Sequence, residues 1–444
     1  MTQLVGVKDR YVADFKTFAG NGAAGAPPWL RELREAALTR FVELGFPSTK
    51  QEEWRFTSVA PIAETPFALR HGSRTPGISP RGLEPLCGAG PRSARVVFVD
   101  GAFAPELSAV AGLPRGVRAG SLAAALETDP ELAREHVARH APYAASPFAA
   151  LNTAFLADGA FVHVPAGTDL ARPIELVFVA TAGSGPTVSH PRSLVVVDRG
   201  ARATVIESYV AAQDGLYWTN AVTEVVVGDG ARLDHYRLQR ESREAYHVAT
   251  THATQGRDSV LRLHPLALGA RLARHDIYTA LAGTGADLLL NGFYLLRGRQ
   301  HADHHTVIDH AQPHCTSHEF FNGIVGEQAH GVFTGRIIVR PGAQRTDSKQ
   351  TNNNLLLSAE ARADSQPQLE IYADDVKCTH GSTIGPLDET ALYYLESRGL
   401  SPETATEILT YGFAAEILGR MDHADVRHEL ERVVQTRLAG RPAA

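Results

Sequence analysis

Residues 194–238 read LVVVDRGARATVIESYVAAQDGLYWTNAVTEVVVGDGARLDHYRL, and this stretch decides the fold. Apolar, β-branched runs at 194–197 and 223–227 are each followed by the same small turn, Gly200-Ala-Arg-Ala and Gly230-Ala-Arg-Leu. The turn returns as Gly285-Ala-Asp-Leu and Gly342-Ala-Gln-Arg, and further short β-rich runs occupy 176–180, 260–263, 288–294 and 335–339. Long helical patterns are missing between these runs, which disfavours βαβ units and leaves a sandwich, a barrel or a stacked solenoid. The uneven spacing of the turn favours a solenoid whose coils carry loops of different length.

Helical patterns flank this region. Leu30, Leu33, Ala37, Phe41 and Leu44 recur at three- and four-residue steps before Gly45-Phe46-Pro47 stops the helix. Pro and Gly crowd residues 76–91, which read as a linker, and a strand follows at 94–99. Asp129 as cap, Pro130 at the first position and Glu131 behind it start another helix. Near the end, Asp388 caps a segment that carries Leu392 and Leu395 and closes at Gly399. Ser401, Pro402 and Glu403 open the next helix. Ala405, Leu409, Phe413 and Ile417 step by four and are expected to share a face, as are Val426, Leu430, Val434 and Leu438. So short a helical tail buries little by itself and must dock on the β body or on a partner. The expected organisation is a helical unit over 1–92, a β core over 93–386 and a helical unit over 387–444.

With 44% hydrophobic and 21% charged residues the 444-residue chain is globular in composition. Its net charge of −6 and the lack of any basic run argue against nucleic acid as a partner. Cys87, Cys315 and Cys378 are too far apart for a disulfide framework or a paired-cysteine zinc site, so reduced thiols in the cytoplasm are expected. Neither a signal peptide nor a membrane span is legible. Lysine stands only at 8, 16, 50, 349 and 377, never in a phosphate-cradling GxxxxGK[ST], and no GxSxG occurs. An ATP-driven step would belong to another protein.

The densest chemistry lies in TDSKQTNNNLLLS (346–358) and QPQLEIYADDVKCTHGSTIG (366–385). On an extended strand Cys378 and His380 share a face, and a thiolate beside an imidazole suits iron, zinc or copper(I). Two ligands leave a metal site open; other residues fold in, or a second chain supplies the rest. The plainer alternative makes Cys378 a small buried hydrophobe and His380 its satisfied neighbour. Upstream, His301, Asp303 and His305 could offer three ligands on one face, with His304, His310, His314, His318 and Cys315 close by; turn and surface histidines on successive coils are the preferred reading. Asn352 to Asn354 read as an amide ladder or a turn. Asp374 and Asp375, as strand neighbours, face opposite ways and make a poor hydrolytic pair, which weakens the alternative of a polysaccharide-cleaving solenoid.

These two segments, with LYYLESRGL (392–400), HADHHTVIDHAQPHCTSHE (301–319) and GFPSTKQEEWRFTS (45–58), resemble the SufD branch of the SufB/SufD family of iron–sulfur cluster assembly proteins over nearly the whole chain. The resemblance implies a right-handed parallel β-helix core flanked by helical N- and C-terminal domains. It implies a non-catalytic scaffold in a complex with SufB, paired through the β-helices, and with SufC, an ATPase docked on the C-terminal helices, for which Leu392, Leu395, Leu409, Phe413 and Ile417 are the candidate residues. A transient iron–sulfur cluster would be held between the two chains, with His380 as the stronger and Cys378 as the weaker ligand from this side. The resemblance further implies a reduced flavin at the level of the complex, with no motif that locates it. A homodimer standing in for the heterodimer is compatible with a shared interface design.

Overall fold

The computed structural model describes residues 2–21, 25–70, 78–87, 93–181 and 185–438. The chain is mainly β, built on a solenoid of about 7 turns with helices towards both termini. Each coil gives one strand to each of two sheets. The first runs from Ala160–Val164 through Arg192–Val197, Tyr217–Val227, Tyr246–Gln255, Leu272–Leu281, His301–His310 and His330–Val339 to Arg362–Ile371. The second runs from Ala94–Val99 through Ile174–Ala180, Arg202–Ala211, Arg232–Arg240, Val260–Ala267, Asp287–Leu296, Thr316–Val325 and Asp347–Leu356 to Lys377–Gly385. Neighbouring coils pair parallel and without a register slip, so a side chain that points inward lies on the inward side chain of the coil before it.

The repeated turn now has a cause. Gly200, Gly230 and Gly285 take φ of 68°, 64° and 74°, a left-handed corner that a Cβ disfavours, and the alanine after each is buried in one interior column. Asp258-Ser259 and His314-Cys315 fill the same corner, with φ of 53° at Asp258 and 61° at His314. Cys315 is therefore an alanine-like corner residue. At the fourth sequence match the left-handed residue is Arg345, at 60°, so the buried Thr346 takes the corner place above Cys315 and Ala343 is buried three residues before it.

Both outer faces of the middle coils are covered, which explains their nearly unbroken apolar runs. Phe41 and Phe148 of the helices Pro28–Leu44 and Pro147–Ala154 pack with Trp218, Val248 and Leu272 on the first sheet. Ala414, Ile417, Leu418, Val426, Leu430 and Val434 of the helices Pro402–Leu418 and Ala424–Leu438 pack on Tyr236, Leu238, Phe293 and Ile324 of the second. The tail thus docks on the β body. Asn291 Nδ2 donates to the Ile417 carbonyl at 3.1 Å, and Asn322 Nδ2 to that of Phe413 at 3.3 Å. Between coils and helices, the buried Glu224 carboxylate accepts from Arg192 at 2.7 Å and from the backbone of Ala138, His140 and Ala141 at 2.9 Å each.

Three local expectations change. Residues 78–87, where a linker was expected, form a helical turn whose Leu83 is buried with Val97, Val177 and Val210; positions 76–77 and 88–91 lie outside the described residues. Asp129 makes no side-chain cap bond; it pairs with Arg118. In Pro402–Leu418 the buried positions are Ala405, Thr410, Ala414, Ile417 and Leu418. Steps of four overshoot a helical turn by about 40°, so the stripe winds round the helix, with Ala405 and Ile417 buried and Leu409 and Phe413 between them half-buried. The caps at Asp388 and Ser401 form as expected, accepting from Thr390 N at 2.8 Å and Thr404 N at 3.2 Å.

The two ends of the solenoid differ. The first is closed by short antiparallel strands, Ala102–Phe103 on Ala94–Val99 and Arg118–Ser121 on Ala160–Val164. The last coil, Arg362–Ile371 and Lys377–Gly385, is bare among the described residues, with inward positions that are only half-buried or exposed.

Inside, glycines make room for large neighbours one coil away. A Cβ at Gly292 would stand 2.0 Å from the Phe321 ring and one at Gly323 would stand 2.1 Å from the Tyr294 ring. Gly292→Ala should therefore lower stability by about 1–3 kcal/mol through overpacking, read as a reduced urea midpoint; an unchanged midpoint would mean that Phe321 moves aside freely.

Candidate functional site

The last strand places Cys378, His380 and Ser382 on its inward face. Ser382 Oγ meets Ser365 Oγ across the coil at 2.9 Å, and Cys378 packs against the interior core. Register puts Cys378 over Ser348 and Ser317, and His380 over Gln350 and Glu319. The structure thus brings the two candidate ligands together, Cys378 half-buried and His380 exposed, at the open end of the solenoid.

Two hydrogen-bonded columns lie beneath them. Under Cys378, the Ser348 and Ser317 hydroxyls are 2.7 Å apart and Ser317 Oγ lies 2.8 Å from His310 Nε2. Under His380, Gln350 Nε2 donates to Glu319 Oε2 at 2.6 Å. Gln350 and Glu319 are buried, and neither Gln350 Oε1 nor Glu319 Oε1 has a hydrogen-bond partner. Burial pushes the Glu319 carboxyl up to about 7, against the weaker downward pull of Thr306 and Gln350. Burial also lowers His310 to about 4, so that imidazole is neutral. The Cys378 thiol is raised, first by burial and then by Asp347, so a metal's positive charge is needed to draw off its proton. Two side chains are too few to close a metal site, and no group of three or more such ligands occurs among the described residues.

Sequence reasoning missed the columns, and it missed a deeper polar seam in the same interior. Glu207 lies 3.2 Å from His235 and accepts from Tyr209 at 2.6 Å; His247 lies 2.5 Å from both Glu241 and Arg237. Strand alternation holds the signal: in Ala203-Thr-Val205-Ile-Glu207-Ser-Tyr209 the buried apolar positions fix the inward phase, and Glu207 falls on it.

The histidine-rich segment serves the fold. His301, Asp303 and His305 do share an outward face, but Arg274 stands among them, bonded to Asp303 at 2.7 Å and 3.2 Å from His305 Nε2. Arg274 also stacks 3.7 Å from the Trp54 ring centroid, and Thr57 donates to Asp303 at 2.5 Å and lies 2.8 Å from His301. The segment 45–58 is thereby clamped onto the solenoid by a cation where a metal would have to sit. Burial opposes ionisation of Asp303, yet Arg274 outweighs it and holds that carboxyl well below the usual range. His304 stacks on Tyr294 with ring centroids 5.4 Å apart. Asn352 and Asn354 bond to each other within one strand at 2.8 Å and form no ladder between coils. Asp374 and Asp375 fall in the bend between the last two strands.

Of the tail residues read as a partner face, Ile417 is buried against this chain's own sheet, while Leu392, Leu395, Leu409 and Phe413 are half-buried. The exposed apolar groups nearby are Tyr393, Tyr394 and Ile408. Leu409 and Phe413 line a cleft of about 370 Å³ with Leu355, Ile384 and Leu387, which joins the helices to the bare coil. No described helix is long and apolar enough to cross a membrane.

Comparison with known proteins places matches on both parts of the chain. Residues 178–413 match the model of the SUF system FeS cluster assembly SufBD core domain, and residues 6–176 that of the SufBD protein N-terminal region. An iron–sulfur cluster assembly SufBD family protein of Synechocystis sp. is 34% identical, with 91% of this chain and 90% of that protein covered. The iron–sulfur cluster assembly protein SufD of Escherichia coli is 30% identical over 95% of both chains. SufD of Bacillus subtilis is 28% identical over 65% of this chain and 66% of its own length.

Two outcomes follow from the buried charges. Glu319 stays protonated in the folded chain up to about pH 7, whereas in the unfolded chain it ionises near 4.3. The folded state binds more protons across that window, so its stability falls as pH rises through it. Glu319→Gln removes this loss, and the variant should gain on the parent between about pH 5 and pH 8 in urea unfolding; a pH-independent difference would sink the assignment. Asp303→Ala strips Arg274 of a buried partner and should cost several kcal/mol, roughly 3–5. Metal content after incubation with Zn²⁺ should stay as in the parent; a loss of bound metal would make the histidine segment a metal site after all.

Proposed function

The chain belongs to the SufBD family of the SUF iron–sulfur cluster assembly system, and on that premise we propose that it is a SufD-type scaffold subunit, itself without catalytic activity. The observation that carries the reading is the pair Cys378 and His380 on the inward face of the bare last coil, half of a ligand set facing the one open end of the solenoid. A second SufBD-type chain, SufB, laid against that end supplies the remaining ligands, and the nascent cluster is the cargo held between the two. His380, the more exposed of the pair, is the principal ligand or proton carrier, and Cys378 joins when metal lowers its raised thiol.

ATP hydrolysis belongs to a SufC-type ATPase, in keeping with a sequence that has no phosphate-cradling loop of its own. Its docking surface is the outward side of the C-terminal helices, where Tyr393, Tyr394 and Ile408 are exposed and Leu392, Leu395, Leu409 and Phe413 are within reach. Ile417 supports that surface from beneath. The cleft between these helices and the last coil gives ATP-driven movement of the helices a route to the SufB-facing end, provided that the interface has two arrangements with different contacts.

The test is reconstitution with SufB and SufC, iron, a sulfide source and ATP. His380→Ala should co-purify with both partners yet lose most cluster formation, followed by absorbance and by iron and sulfide content, while Cys378→Ala should lose less. Full cluster formation by His380→Ala, or a stable cluster on this chain with no second protein present, would overturn the proposal.

A further inference from the structure

Below the last coil, the buried amide of Gln350 is half satisfied. Its Nε2 donates to Glu319 at 2.6 Å, and its Oε1 is an acceptor without a partner, sealed from solvent in the layer directly under His380. A buried acceptor that stays empty is costly, so the site calls for a donor. The register leaves one ring donor for it: His380 is the residue aligned above, on the same inward face, and its ring makes no competing hydrogen bond among the described residues. The backbone opposite is shaped to admit the amide. A Cβ at Gly335 would stand 2.3 Å from Gln350 Nε2, so any larger residue there would push Gln350 out of line.

We propose that Gln350 and Glu319 are positioning residues for His380: the imidazole donates its inner N–H to Gln350 Oε1, and Glu319 holds the Gln350 amide in the orientation that presents this oxygen upward. The amide's two ends then act in series. Nε2 is spent on the Glu319 carboxyl, Oε1 faces the ring, and the outer ring nitrogen is left with its lone pair directed away from the solenoid towards an incoming metal or proton. This is the arrangement in which metal-binding histidines donate their second nitrogen to a fixed acceptor, which sets the tautomer and raises ligand basicity. It rests on the reading of His380 given above and adds what prepares that residue before a partner arrives.

The experiment uses the full chain labelled with ¹⁵N-histidine, with His380→Gln to assign the ring signals, and reads the tautomer of His380 by NMR. The parent should show one neutral tautomer and Gln350→Leu a mixture. Gly335→Ala should reproduce the Gln350→Leu result without altering either column residue, which guards against a Leu variant that does not fold. In the reconstituted complex Gln350→Leu should slow cluster formation by roughly 10- to 100-fold. The same tautomer ratio in parent, Gln350→Leu and Gly335→Ala would overturn the inference. If the ratio depends on Gln350 while His380→Ala still builds clusters, the column stands and the role assigned to His380 falls.

Discussion

In-register stacking of parallel coils is the constraint on which everything else in this molecule rests. Because each inward side chain lies on the one before it, a residue's environment is set by positions one coil away in sequence, and the hydrogen bonds between coils leave no freedom to slip. Gly292 exists for Phe321, Gly323 for Tyr294, and Gly335 for Gln350. The same rule lets polar groups live in an apolar interior: Ser317 on Ser348 and Gln350 on Glu319 each find a partner in the adjacent layer, at 2.7 and 2.6 Å. A column of this kind links one layer to the next until it reaches a coil with nothing above it. That coil carries Cys378 and His380.

Where local chemistry dictates structure, the sequence was readable. A left-handed corner writes itself as glycine, so Gly200, Gly230 and Gly285 gave away the repeat, whereas Asp258 and His314 tolerate the same corner without announcing it. Asp388 and Ser401 cap their helices through groups within three residues. Alternation alone put Cys378 beside His380. What depended on distant partners was hidden: Thr57 and Arg274 converge on Asp303 from two separate parts of the chain, with Trp54 stacked on Arg274, and nothing near HADHH signals that a guanidinium fills its centre. Gln350 lay in plain view between Lys349 and Thr351, but its place under His380 follows from coil lengths, which vary. The stepped stripe Ala405, Leu409, Phe413 and Ile417 misled in another way, since four residues overshoot a helical turn and only Ala405 and Ile417, its two ends, became buried.

The division of labour among the histidines follows from burial. Those sealed inside, His275, His304 and His310, have their affinity for protons lowered by burial and serve as neutral hydrogen-bonding or stacking groups. His301 is likewise lowered, to about 4, and is tied to Thr57. His380 differs from all of these in standing at the surface of the last layer.

The contrast between the two ends of the solenoid bears on which chains can add to it. One end is turned back on itself by antiparallel strands; the other presents two raw strand margins whose amide and carbonyl groups have satisfied neighbours on one side only. Any extended peptide is a potential mate for such a margin. Pro367, which withholds an amide from the rim, and the charges of Arg362, Glu370 and Lys377 along it act as gatekeepers against promiscuous fibril-like growth. Under the pairing proposed above, the same few rim residues both restrain indiscriminate strand addition and leave the margin open to a matching chain.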